Sequence, residues 1–168
     1  RHRPVAWGVQ QTGFGLMGQS QGTTTGLCGP WGMCDFPRPE DPDTGRRYEG
    51  SLRTSLGSLT DDRRFDSLTA WGRAVGTGGL PLNLGTLVGA GAVQVAVNGF
   101  STDPLTPDQL DRAQGLIDQA MQAGAFGVSM GIMYVPECYL PGPQRLTLRA
   151  PLRPRSGTLT GHIRGGGG

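Results

Sequence analysis

Few residues of this sequence can do chemistry, and their neighbours suggest what kind. Its histidines are His2 and His162, and the second sits in Thr160-Gly-His-Ile-Arg164. A neutral imidazole can hold a metal ion, although a lone histidine is more often packed or on the surface. Cys28, Cys34 and Cys138 are an odd number with no C-x-x-C pair. A disulfide framework and a zinc ribbon are both disfavoured, and a reduced, cytoplasmic setting fits the pattern. Ser129 lies in Gly127-Val-Ser-Met-Gly131, which matches the G-x-S-x-G of a nucleophile elbow. That elbow needs a strand, a sharp turn and then a helix. Ile132-Met-Tyr-Val-Pro136 starts a helix poorly, and a Ser–acid–His order would have to run Ser129, Glu137, His162. A serine hydrolase is therefore the lesser reading. Gly13-Phe-Gly-Leu-Met-Gly18 matches G-x-G-x-x-G, but a β-branched run at Thr23–Thr25 follows where a phosphate site requires a helix, so it reads as a loop.

The elements that must position these residues follow from periodicity. Thr23 to Leu27 is a short strand candidate. Residues 35–58 carry Pro37, Pro39, Pro42, Gly45 and Gly50 among charges and read as an exposed loop. Thr60 opens a helix with Phe65, Leu68, Trp71 and Val75 at helical spacing, ended by Gly76 to Gly79. Leu80 to Gly91 reads as a strand buried on both faces, and Ala92 to Val97 as a short helix or turn. The clearest element is a helix over 107–123. Thr106 is its N-cap, Pro107 its first residue, Gln109 completes a capping box and Gly124 suits the position after it. Ala125 to Met130 follows as a buried strand. Strand, helix, strand predicts an α/β class with parallel strands.

Composition bounds the rest. The chain has 168 residues, one domain by length, and is short for a complete eight-stranded α/β barrel of roughly 250 residues. Thirty glycines and thirteen prolines are not periodic, which excludes collagen. Hydrophobic residues make 36% and charged residues 17%, which argues against a solvated disordered polymer. No apolar run is long enough to span a membrane. The opening Arg1-His-Arg-Pro4, without Met or an apolar leader, reads as a chain with no signal peptide and without its natural start. All fifteen basic residues are Arg and the net charge is +2, a balance better explained by codon bias than by phosphate recognition. From Gly142 to Gly161 neither period is sustained. Arg145, Arg149, Arg153 and Arg155 have no acidic neighbour there, because nothing after Glu137 is acidic. The stretch 142–158 reads as irregular, with a locally shifted reading frame as one explanation and a basic nucleic-acid arm as a weaker one, since no aromatics interleave.

Four segments in register resemble the D-aminoacylase (N-acyl-D-amino-acid deacylase) branch of the amidohydrolase superfamily. They are Gln21-Gly-Thr-Thr-Thr-Gly-Leu-Cys-Gly-Pro-Trp-Gly-Met33, Leu84-Gly-Thr-Leu-Val-Gly-Ala-Gly-Ala-Val-Gln-Val-Ala-Val-Asn-Gly99, Ala123-Gly-Ala-Phe-Gly-Val-Ser-Met-Gly-Ile-Met-Tyr-Val-Pro136 and Thr160-Gly-His-Ile-Arg-Gly165. The resemblance implies a partial TIM-type (β/α)8 barrel, covering about its second to fifth strands as one domain over 1–168. It implies zinc as cofactor and hydrolysis of the amide bond of a small N-acyl-D-amino acid. By the same resemblance His162 is a metal ligand, Tyr134 contacts substrate, and Ser129 lies at a glycine-flanked strand end close to the ligand. Arg164 would orient a carboxylate through its fork. The sequence also departs from the family. Trp31 stands where the family has a zinc-ligand cysteine, with Cys34 three residues on as a substitute ligand. Ala90, Gln94 and Gly166 replace a His, an Arg and a Glu, and no His-x-His occurs. The expectation is an inactive chain by itself. The alternative is a non-catalytic remnant that self-associates through exposed strand edges.

Overall fold

The computed structural model describes residues 16–56, 65–77, 79–163 and 165. Four strands form one sheet: β1 (Thr25–Cys28), β2 (Asn83–Gly89), β3 (Gly127–Gly131) and β4 (Thr158–His162). They lie in chain order and every pair is parallel. Parallel neighbours need crossovers, which are right-handed as a rule. With sequential order, right-handed crossovers all fall on one side of the sheet. That is the winding of a barrel, not of a doubly wound sheet whose order reverses midway. Register sorts the side chains. Leu87, Gly127 and Thr158 share one face with Gly89, Ser129 and Thr160 and with Gly131 and His162. Val88, Val128 and Met130 take the opposite face and belong to the buried core with Ala113, Ile117 and Met121.

The helix named as clearest in the sequence is α5, Pro107–Gln122, and both halves of its capping box form. The Thr106 hydroxyl accepts from Gln109 N and the Gln109 amide oxygen accepts from Thr106 N at 2.9 Å. Ala90–Asn98 is a full helix, α4, rather than a turn. Three expectations need correction. The exposed loop expected over 35–58 is overturned for residues 35–56: after a short helix α1 (Leu16–Gln19), Pro42–Leu56 forms helix α2, and Phe36, Tyr48 and Leu52 are buried. The proline that read as a breaker starts the helix, and the Asp41 carboxylate caps it by accepting from Thr44 N at 2.8 Å. The next helix, α3, runs Leu68–Gly76 with Ser67 as its cap. The proposed start at Thr60 lies outside the described residues. Phe65 precedes α3, and its N–H donates to the Asp35 carbonyl at 3.2 Å.

The third correction concerns 142–158, which is ordered and packed. Gly142–Leu148 is helix α6 and Ala150–Arg155 a 3₁₀ helix, and they bury Leu148 and Leu152. The side-chain amide of Gln144 bonds both backbone groups of Leu105, at 2.7 and 3.0 Å. Arg155 finds an acid after all, pairing with Asp118 of α5 at 2.7 Å. Arg145 donates to the carbonyls of Glu137 and Cys138. These arginines are tied into the fold and do not form a free basic arm. Among the described residues, no helix is long and apolar enough to cross a membrane.

Candidate active site

The C-terminal ends of the four strands share one edge of the sheet, and the residues just beyond them meet there. The loop after β1, residues 29–36, folds back across β2 and β3 instead of leaving the sheet. Three glycines permit this. A Cβ on Gly89 would stand 2.4 Å from the Gly32 carbonyl oxygen, and one on Gly131 would stand 1.9 Å from that of Trp31. Gly32 has φ of 75°, the left-handed region that glycine adopts without penalty. Trp31 has φ of 67° with a full side chain, a conformation costing roughly 1–2 kcal/mol for an L residue.

Ser129 fastens this loop. Its hydroxyl donates to the Gly29 carbonyl and accepts from Gly32 N at 3.1 Å. The side chain is fully buried. A 3₁₀ turn at Glu137–Tyr139 follows β3 where a nucleophile elbow needs a helix. Buried and bonded to backbone as both donor and acceptor, the Ser129 hydroxyl holds the β1 loop in place and is not presented as a nucleophile elbow presents its serine. The flanking glycines admit the β1 loop, where a ligand had been expected.

His162 ends β4 and pairs in register with Gly131. Its ring lies between Trp31, edge-on at 5.7 Å between centroids, and Tyr134, tilted at 5.3 Å. Its Nδ1 is shielded from solvent and has no hydrogen-bond partner. The structure brings His162 and Tyr134 together. Arg164 lies outside the described residues. Cys34 is fully buried and away from any converging ligand group among the described residues. Its thiol donates to the Phe36 carbonyl and accepts from Gly89 N at 3.1 Å. Burial, with the Asp35 charge adding to it, pushes the thiol up to about 12, whereas a metal ligand must be a thiolate. No group of three His, Cys, Asp or Glu converges among the described residues.

Sequence reasoning passed over Glu137 as a loop acid beside a proline. The structure buries it to 2% exposure. One carboxylate oxygen, Oε2, accepts from Gly131 N at 2.9 Å, while Oε1 has no partner. Burial raises its pKa to about 7, against the opposing pull of Gly131 N–H and Arg145. Glu137 lines a cleft of about 290 Å³ with Trp31, Tyr134, Tyr48, Arg47 and Phe100 among its walls. The Arg47 guanidinium rests on the Phe100 ring, 4.2 Å from its centroid. The one signal in the sequence was that Glu137 is the sole acid after Asp118.

The sheet winding and the strand-end site define part of a parallel α/β barrel. No family model matches the chain. Over 140 residues, 83% of this chain and 27% of the relative, it is 34% identical to the N-acyl-D-aspartate deacylase of Alcaligenes xylosoxydans xylosoxydans. A solved D-aminoacylase, described as defining a novel subset of amidohydrolases, matches with a TM-score of 0.69 at 24% identity, over 88% of this chain and 30% of that one. The N-acyl-D-glutamate deacylase of Bordetella bronchiseptica, solved with zinc and a phosphonate mimic of the tetrahedral intermediate, matches with a TM-score of 0.74 at 23% identity, over 88% and 29%. The chain belongs with the D-aminoacylase-like deacylases, as a part of their fold. It spans less than a third of the length of these relatives.

Proposed function

We propose that the chain contributes part of a metal-assisted deacylase that hydrolyses the amide bond of N-acyl-D-amino acids. The observation that carries this reading is His162, held at a strand end between Trp31 and Tyr134 with an unpartnered ring nitrogen. A strand-end imidazole with an unbonded ring nitrogen is of the type that can ligate a metal, and it lies on the barrel face where active sites form. The described residues do not fit a catalytic zinc by themselves. Such a site takes three protein ligands, and among the described residues no three His, Cys, Asp or Glu side chains converge. The share of the chemistry left to this chain is binding and orientation: Tyr134 as a wall against the substrate, and Arg164 as a carboxylate fork.

Two measurements test the reading. The chain supplied with zinc and an N-acetyl-D-amino acid should show little or no turnover; zinc-dependent turnover that is lost in His162→Ala would refute that inactivity. Binding of N-acetyl-D-amino acids should quench Trp31 fluorescence in preference to the L enantiomers. No response to any of them at millimolar concentration would sink the deacylase reading.

A second reading is favoured by the sheet edges. β1 and β4 each have one neighbour, and Leu27, Leu159 and Ile163 near them are exposed. A non-catalytic remnant that self-associates through these edges would elute as a zinc-free, concentration-dependent oligomer. A reducing cytoplasmic compartment suits either reading, since the described residues hold no disulfide.

A further inference from the structure

The two edges of the sheet match each other. Among the described residues β1 pairs only with β2 and β4 only with β3. Along a strand, successive backbone groups point to alternate sides. Asn83 N donates to the Thr24 carbonyl, so Thr24, Gly26 and Cys28 turn their backbone groups to β2. Those of Thr25 and Leu27 turn outward. Thr158 N donates to the Phe126 carbonyl, so Thr158, Thr160 and His162 bond toward β3, and Leu159 and Gly161 turn outward. Each outward row is a template for another strand. Every pairing in the sheet is parallel, so a strand continuing it at β4 runs in the direction of β1, and one at β1 in the direction of β4.

Side chains give a second, independent sign. Leu27 lies opposite Gly85, on the sheet face that also carries Leu87 and Ser129. A Cβ on Gly85 would stand 2.8 Å from the Phe126 ring and 3.2 Å from Leu27. Leu27 and Phe126 therefore share that face, and both are exposed. The opposite face is packed on the helices through Val88 and Val128. In a closed barrel the face away from the helices is the interior, filled by side chains from the strands across it. Four strands have nothing across from them.

We propose that two copies of this chain close into one eight-stranded parallel barrel, with β4 of each beside β1 of the other. A twofold axis along the barrel makes the two new pairings equivalent, so closure uses every free edge and stops at two copies. A second copy presents both edges in the required direction and brings its own Leu27 and Phe126 across the interior. A lone extended peptide would cover one edge and leave the interior open. This inference rests on the edge-association reading and gives it a stoichiometry, a strand direction and an end point.

The test is sedimentation velocity of the whole chain over about a hundredfold range of concentration. Wild type should sediment as monomer and dimer and as nothing larger. Leu159→Pro removes an N–H that the chain's own sheet does not use, at an edge where proline is tolerated. Leu27→Asp puts a carboxylate where the side chain is exposed in one copy and enclosed in two. Each change occurs twice per dimer, so each should raise the dimer dissociation constant by roughly a hundredfold or more. Thermal unfolding of the dilute monomer should change little. Amide exchange of wild type decides the matter if either variant fails to fold. The Leu27 and Gly161 amides should be protected in concentrated samples and exchange freely in dilute ones, while Thr160, bonded toward β3, stays protected in both. A dimer that survives both variants, or whose outward amides stay unprotected, overturns the proposal. Oligomers that grow beyond two overturn the closed barrel and leave edge association standing. A monomer at every concentration overturns both.

Discussion

The indole of Trp31 stands edge-on to the imidazole of His162, and it is held there by a left-handed backbone that its side chain disfavours. The two residues oppose each other energetically: ring contact stabilises by about 0.5–1.5 kcal/mol, and the backbone costs roughly as much. Trp31→Ala removes the contact and keeps the strain. Trp31→Gly removes both. The glycine variant should therefore be the more stable of the two by about 0.5–1 kcal/mol, after its greater unfolded-state entropy is allowed for. Urea unfolding of both variants checks this, and an alanine variant at least as stable would remove the case for strain at this position.

Glycines of this fold divide by what lies above them. A Cβ on Gly131 would stand 1.9 Å from the Trp31 carbonyl, whereas one on Gly115, in the middle of α5, meets nothing within 4 Å. Gly131→Ala should cost about 3 kcal/mol or more, or prevent folding, because backbone must move. Gly115→Ala should stabilise by about 0.5–1 kcal/mol through helix propensity. Thermal unfolding of the two variants is the measurement.

Asp35 and Glu137 set the pH dependence. Burial raises both pKa values to about 7, with the Trp71 N–H bond partly offsetting this at Asp35. Unfolding returns both to ordinary carboxylate values near 4. Between about pH 4 and 7 the unfolded chain therefore binds fewer protons than the folded one, and stability falls as pH rises through that window. The loss should reach the order of a few kcal/mol and level off above pH 7. Asp35→Asn and Glu137→Gln should each flatten the profile of urea midpoint against pH. A wild-type profile that rises over the same window would contradict the burial of these acids.

The thiols provide a check on the site assignment. Cys28 and Cys34 are buried and both pushed up to about 12, chiefly by burial, while Cys138 is half-buried. At pH 8 an alkylating reagent should modify Cys138 first and leave the other two intact until urea unfolds the chain. Zinc should not alter that order. Protection or activation of Cys34 by zinc would restore it as a ligand.

Leu148 is fully buried in a segment that looked structureless. Leu148→Ala should cost about 2–5 kcal/mol, the range for large-to-small core changes. A loss below about 0.5 kcal/mol in denaturant unfolding would mean that α6 does not belong to the core.

How much could be read beforehand depended on where the information was local. The helix after Thr106 was legible because cap, proline and box lie within four residues of one another. The strands at 83–89 and 127–131 were legible because a doubly buried parallel strand leaves a continuous apolar run. Helix α2 was not, since the apolar Tyr48 and Leu52 are widely spaced among charges, and its first proline resembled a breaker. Helix α6 and the 3₁₀ helix after it were hidden for a similar reason, with Gln144 and Arg155 finding partners 39 and 37 residues away. Ser129 and Glu137 were misjudged because their roles are set by the loop after β1, which no local pattern connects to them.

The clasp that joins Ser129 to Gly32 and Gly29 closes spans of 97 and 100 residues. Contacts so distant in sequence form late, after the chain has surrendered most of its freedom. On a ribosome, the cleft beside Trp31 cannot exist until β3 has been synthesised, however early β1 has folded. The site therefore needs both halves of this chain, and quenching of Trp31 by its ring neighbours would report when they have met.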